Sequence, residues 1–140
     1  MPRRTTGIAA ALSVLALGSP LITGCTNQLA NQYFDQGVEK YKDGNYQGAI
    51  DDWSKAIEID PQNAVAYYNR GLANSNLKDY QAAIDDWSKA IEINPQHANA
   101  YHNRGSAREL VNDLEGACDD WRKAVDLGNE RPAEWVKNQC

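Results

Sequence analysis

Histidine occurs only twice in this 140-residue chain and cysteine three times. His97 and His102 stand five apart across a break and a helix start, which is not metal-ligand spacing, and no cysteine or third histidine joins them. No metal site and no cofactor is therefore expected. A glycine–serine nucleophile motif and a glycine-rich phosphate loop are also missing, so no catalytic residue is assigned and an enzyme reading has nothing to rest on. Basic residues are in the minority, 14 against 19 acidic ones. That balance excludes a nucleic-acid surface, which needs a basic face. No stretch shows the alternation of a strand.

Long apolar runs are missing too, apart from one at the start, Ile8 to Leu17. Arg3 and Arg4 precede it, and Ser19-Pro20-Leu21-Ile22-Thr23-Gly24 follows. A basic start, a short apolar stretch and a small-residue end describe an export signal over 1–24, too short to span a membrane. Loss of Arg3 and Arg4 with that segment leaves 12 basic and 19 acidic residues, a net charge of −7. A surface of that sign does not adhere to anionic lipid unaided.

What the chain does have is a repeat. Asp51-Asp52-Trp53-Ser54-Lys55-Ala56-Ile57-Glu58-Ile59 returns as Asp85-Asp86-Trp87-Ser88-Lys89-Ala90-Ile91-Glu92-Ile93, and again, drifted, as Asp119 to Leu127. The period is 34 residues both times, which marks an array of one small unit. Within the first unit, Leu29, Tyr33, Gly37 and Tyr41 recur every fourth residue as a helical face. Asp43-Gly44-Asn45 breaks the run, and Tyr46, Ala49, Ile50, Trp53, Ala56 and Ile57 form a second face. Asp60-Pro61 stops that helix, because proline cannot continue the hydrogen-bond ladder. Gly37, Gly71 and Gly105 recur inside the first helix of each unit, although a helical glycine costs about 1 kcal/mol against alanine. The expected reason is steric: the paired helices cross too closely for a larger side chain, with Trp53, Trp87 and Trp121 as apolar wedges. The aspartate pairs 51/52, 85/86 and 119/120 repeat with the unit and read as a solvated acidic stripe on the outward face.

The 34-residue period, Tyr33, Tyr67 and Tyr101 with a glycine four residues on, the alanines at 49, 56, 83, 90, 117 and 124, and Pro61 and Pro95 together resemble tetratricopeptide repeats. Gln36, Arg70 and Arg104 depart from that pattern, which usually has leucine there, and Gly128-Asn129 replaces aspartate-proline in the third unit. The resemblance implies an all-α superhelical array: units over 30–63, 64–97 and 98–131, then a capping helix over 132–140. In the cap, Ala133, Trp135 and Val136 are placed to face the third unit. In such arrays the first helices line a concave groove that takes peptide. Carried over by position, the groove residues are Phe34, Val38, Tyr41, Tyr68, Leu72, Asn76, His102, Ser106 and Glu109. The subclass that clamps chaperone tails is not expected. Only Asn69 matches its clamp, with Phe34, Val38, Asn99 and Asn103 at the other four positions.

Ile22-Thr23-Gly24-Cys25 resembles the lipobox of bacterial lipoproteins. That resemblance implies cleavage before Cys25, acylation of Cys25 and anchoring by several acyl chains, which hold stably where one would be marginal. Thr26 rather than aspartate follows, which in enterobacteria favours the outer membrane; the choice between outer and plasma membrane stays open. Residues 25–29 would be a short tether, about 14 Å if Thr26 to Leu29 were fully extended. The domain would then lie close to the envelope membrane.

Cys118 and Cys140 remain in an oxidising compartment. Each is eleven residues from Asn129, near the centre of the turn before the cap, so an antiparallel pairing sets them at one level and predicts a disulfide. The whole sequence thus reads as a lipid-anchored scaffold or assembly factor that binds an envelope protein or peptide. Self-association as a homo-oligomer, or binding of cell-wall glycan, are the alternatives.

Overall fold

The computed structural model describes residues 20–140, with side chains from residue 26 onward. Most of the expected export signal, and the side chain of Cys25, lie outside the described residues. Seven helices and no strand make up the described residues: α1 (Pro20–Lys42), α2 (Tyr46–Ile59), α3 (Ala64–Asn76), α4 (Tyr80–Ile93), α5 (Ala98–Leu110), α6 (Leu114–Asp126) and α7 (Ala133–Gln139). Helices pair as α1/α2, α3/α4 and α5/α6, each pair stacks on the next, and α7 closes against α6. This is the expected superhelical array of helical hairpins. No helix among the described residues is long and apolar enough to cross a membrane.

Sequence sets the helix ends locally. Asn45, Asn63, Asp79, His97 and Asp113 each accept a hydrogen bond from the backbone N–H three residues on, satisfying a donor that the helix leaves unpaired. Each hairpin turn holds one left-handed residue at the same repeat position: Gly44 at φ 77°, Lys78 at 65° and Asn112 at 65°. Glycine takes that conformation without strain, whereas the other two accept a modest cost.

The tether differs from expectation. Residues 25–29 are helical and continuous with α1. No proline or glycine interrupts Thr26 to Gln36, so the helical ladder runs back from the first repeat. At 1.5 Å per residue Thr26 to Leu29 span about 6 Å, less than half of their extended reach.

The steric reading of the glycines holds. A Cβ on Gly37 would lie 2.6 Å from Trp53 Nε1, on Gly71 2.7 Å from Trp87 Nε1, and on Gly105 2.6 Å from Trp121 Nε1. Each indole is buried in its hairpin. Trp53 donates to the Phe34 carbonyl (3.1 Å) and Trp87 to that of Tyr68 (3.2 Å), fixing the ring as well as burying it. Trp121 Nε1 is buried with no partner, and the corresponding carbonyl, of His102, accepts instead from Ser106 Oγ.

The acidic stripe requires a correction. Asp51, Asp85 and Asp119 are exposed as expected, but Asp52, Asp86 and Asp120 are only 2%, 5% and 3% exposed. Each is paired within its hairpin. Arg70 grips Asp86 through Nη2 (2.6 Å) and Nε (3.0 Å), and Asn74 adds a third donor. Arg104 and Arg108 both bind Asp120. Lys40 Nζ stands 2.6 Å from Asp52 Oδ2, an ion pair without hydrogen-bond alignment. The physical reason is burial: the second residue of each aspartate pair points into the hairpin, where a carboxylate persists only beside a cation. Arg70 and Arg104 also reach back to Ser54 and Ser88 of the preceding unit (both 3.0 Å), so one guanidinium ties two units together.

The cap forms as expected, joined to α6 by a Cys118–Cys140 disulfide with a Cα–Cα distance of 5.5 Å. Arg122 donates to the Cys140 carbonyl (2.6 Å), and the Trp135 ring lies 5.8 Å from that of Trp121. Trp135 nevertheless stays 47% exposed, and no residue of α7 is buried.

Candidate functional site

The first helix of each pair carries the nine expected groove residues. On α1, Phe34, Val38 and Tyr41 are half-buried, their inner sides packed against the Ala49–Trp53–Ala73 core. On α3, Tyr68 and Leu72 pack in the same way on the core around Trp87. These residues therefore serve the core and the surface together. Asn76 is exposed, whereas His102, Ser106 and Glu109 on α5 are half-buried.

Two tyrosine hydroxyls are held across unit boundaries. Asn76 Nδ2 donates to Tyr41 Oη (2.9 Å), and Asn103 Nδ2 donates to Tyr68 Oη (3.1 Å). Each bond joins residues 35 apart, one repeat plus one residue, so the stacking of units sets the side-chain pose. The Tyr68 ring also lies 4.6 Å from that of His97. Burial raises the Tyr68 pKa, and it lowers those of His97 and His102, with the Arg131 charge adding to the effect on His102. Both imidazoles are thus held towards the neutral form. His97 Nδ1 accepts from the Ala100 N–H as the cap of α5, while His102 Nδ1 is buried without a partner.

Between the second and third units the stripe dips into a cavity of about 180 Å³ lined by Leu72, Asn76, Trp87, Ser106 and Leu110. Leu72, Asn76 and Ser106 come together there, as their repeat positions implied. Phe34 and Val38 lie further along the stack, and Glu109 does not line this cavity. Sequence reading missed Asn103 as the partner of Tyr68, and His97 as its neighbour. The 35-residue spacing from Tyr68 to Asn103 was the available signal. No cluster of three metal-ligating side chains occurs among the described residues.

Residues 64–97 match a family model described as tetratricopeptide repeat, and residues 30–78 match one described as TPR repeat. No curated protein matches the chain. Among solved structures, the first TPR of Spaghetti (RPAP3), bound to the HSP90 peptide SRMEEVD, is 30% identical with a TM-score of 0.75; the alignment covers 79% of this chain and 90% of that one. The Arabidopsis OM64 TPR domain is 28% identical, also at 0.75, over 81% and 95%. The first TPR domain of human RPAP3 is 29% identical at 0.72, over 79% and 89%.

Proposed function

Because the chain belongs to the tetratricopeptide-repeat family, we propose that its concave groove binds an extended segment of a partner protein. The carrying observation is the stripe of half-exposed aromatic and aliphatic side chains from Phe34 to Leu72, with Tyr41 and Tyr68 already fixed by asparagines of the next unit. Side chains held in place before binding lose little entropy on contact, and rigid aromatics make effective anchors. Similar domains have been solved with HSP90 and HSP70 peptides bound, which supports a peptide as the ligand class. Four of the five clamp positions differ here, with only Asn69 matching, which supports a partner of another kind.

The proposal extends to location. Export by residues 1–24 and acylation at Cys25 would hold the array against the bacterial envelope membrane, where its role is that of a scaffold or assembly factor. The resemblance of Ile22 to Cys25 to a lipobox supports this. A second reading, self-association, draws on the exposed Leu110, Val111 and Leu114 at the α5–α6 turn.

In-cell photo-crosslinking tests the groove, with a crosslinking residue at Tyr68 and a control at the exposed Asp85. Discrete adducts at Tyr68 alone support it; adducts at Asp85 alone, or at neither, refute it. Adducts at Leu114 to a second copy would favour self-association. Loss of membrane association in Cys25→Ser tests the anchor.

A further inference from the structure

Among the described residues seven large apolar side chains are exposed, and four of them gather at one edge of the array: Leu77, Leu110, Val111 and Leu114, each 43–60% exposed. They end α3 and α5 and begin α6. Contacts between units bring these ends together. Asn76 of α3 bonds Tyr41 of α1 (2.9 Å), and Leu110 of α5 lines one cavity with Ser75 and Asn76 of α3. The C-terminal ends of the three first helices therefore share an edge, on which Leu77 and Val111 hold the same repeat position, 34 residues apart. The fold does not require apolar residues there, since the first unit has Lys42, Asp43 and Tyr46 at the equivalent places. An apolar cluster exposed on one edge marks a contact surface.

The rim of this patch carries an excess of one charge. Asp79, Glu109, Asp113 and Glu115 stand within two residues of its members, as do the cations Lys78 and Arg108. Arg108 is committed to Asp120 (3.0 Å) and also reaches Asp113 (3.5 Å), which leaves Lys78 against three carboxylates. That excess decides the occupant. A second copy would set one acidic rim against another, at a cost in like-charge repulsion. An anionic lipid surface would be repelled as well. The edge also lies at the far end of α1 from residue 25, about 25 Å away at 1.5 Å per residue from Thr26 to Lys42. Seven helices with no strand among the described residues offer no sheet edge, so main-chain pairing is not available to a ligand. An occupant must satisfy its own backbone, as a helix does.

From this placement we propose that the edge is a second docking surface, which takes a basic amphipathic helix of a partner protein. Apolar side chains of that helix cover Leu77, Leu110, Val111 and Leu114, while lysines or arginines on its flanks meet Asp79, Glu109 and Glu115. The surface is independent of the proposed groove: Leu77, Leu110, Val111 and Leu114 are not among the nine groove positions.

Fluorescence anisotropy with the full chain and three labelled helical peptides, each about five turns long, tests it. The first peptide has a leucine face flanked by lysines, the second has glutamate for lysine, and the third has serine for leucine. Only the first should bind, and more weakly as salt rises. Variants are compared where their circular dichroism matches the parent. Val111→Ser with Leu114→Ser should weaken binding at least tenfold. Lys78→Asn, which keeps a residue suited to the left-handed turn, should tighten it about threefold, a gain that misfolding does not produce. Tyr68→Ala, in the groove, should leave affinity unchanged. No binding of the first peptide, equal binding of the second or third, or indifference to the Val111→Ser, Leu114→Ser change overturns the edge site and leaves the groove reading in place. Loss of binding in Tyr68→Ala alone seats the peptide in the groove and overturns it too. A dimer seen by sedimentation that Leu114→Ser dissolves assigns the patch to a second copy, against this proposal.

Discussion

Replacing Arg70 by leucine tests whether the buried ion pairs hold the hairpins together. Asp86 then keeps a single donor, Asn74, in a site where the carboxylate side chain is 7% exposed. Removing one partner of a buried pair costs about 3–5 kcal/mol, and the 23% exposure of Arg70 lets in enough water to place this case near about 3 kcal/mol. The bond to Ser54, between units, disappears as well, adding about 1 kcal/mol. Arg104→Leu supplies the internal comparison. Asp120 would still be bound by Arg108 at 3.0 Å, so only about 1–2 kcal/mol should be lost from the pair itself. The double change Arg70→Leu with Asp86→Leu should recover most of the loss, because an apolar pair of similar volume replaces buried charge at little net cost. Urea denaturation followed by far-UV circular dichroism reads all three, provided the slope with denaturant stays constant. Equal losses for Arg70→Leu and Arg104→Leu would refute the argument, since Arg108 would then contribute nothing to Asp120.

Gly71→Ala should destabilise by about 1–3 kcal/mol despite the better helix propensity of alanine, because the new Cβ meets Trp87 Nε1 at 2.7 Å and disturbs its bond to Tyr68; a raised melting temperature would contradict the close-crossing argument. Reduction of Cys118–Cys140 reopens a loop set by 22 residues of separation and should cost about 3 kcal/mol. The melting temperature with and without a thiol reductant measures this, and a Cys118→Ser, Cys140→Ser variant should be insensitive to the reductant. His97 and His102 have folded pKa values lowered by burial, so the unfolded chain takes up protons first. Their contribution is complete above about pH 6.5 and is lost as pH falls from there through the lower folded values. Denaturation midpoints at successive pH values should show that decline, and a His97→Asn, His102→Asn variant, which keeps an Asx cap on α5, should show less of it.

The repeat made the fold legible from sequence, because period, helix faces and breaks all specify one unit stacked three times. Glycine against tryptophan could be read because the pair recurs without variation at Gly37/Trp53, Gly71/Trp87 and Gly105/Trp121, and the structure repeats the contact each time. The aspartates were misread for the opposite reason. Asp52, Asp86 and Asp120 are invariant among the units, but their partners are not: Lys40 serves the first, Arg70 with Asn74 the second, and Arg104 with Arg108 the third. A repeat-by-repeat alignment displays Arg70 and Arg104 only as departures from leucine, and Lys40 and Arg108 as surface charge. The pairing appears once a hairpin sets those first-helix positions against the buried aspartate of the second.

The groove falls between these cases. The residues expected to line it follow from repeat position alone and lie on α1, α3 and α5. What repeat position does not encode is the contact between successive units that fixes a side chain, as Asn103 does for Tyr68, or the non-repeating turn after α6 that sets Arg131 between Asn129 and Pro132. Arrays build their surfaces by repetition, but discrimination between partners requires that the units differ. In this chain the differences gather towards the third unit and its turn: His102 where the others have Phe34 and Tyr68, Ser106 where they have Val38 and Leu72, and Gly128-Asn129 where they have aspartate or asparagine followed by proline. If the proposed groove is the binding surface, specificity should therefore reside at that end, with the aromatic stripe of the first two units supplying contact area.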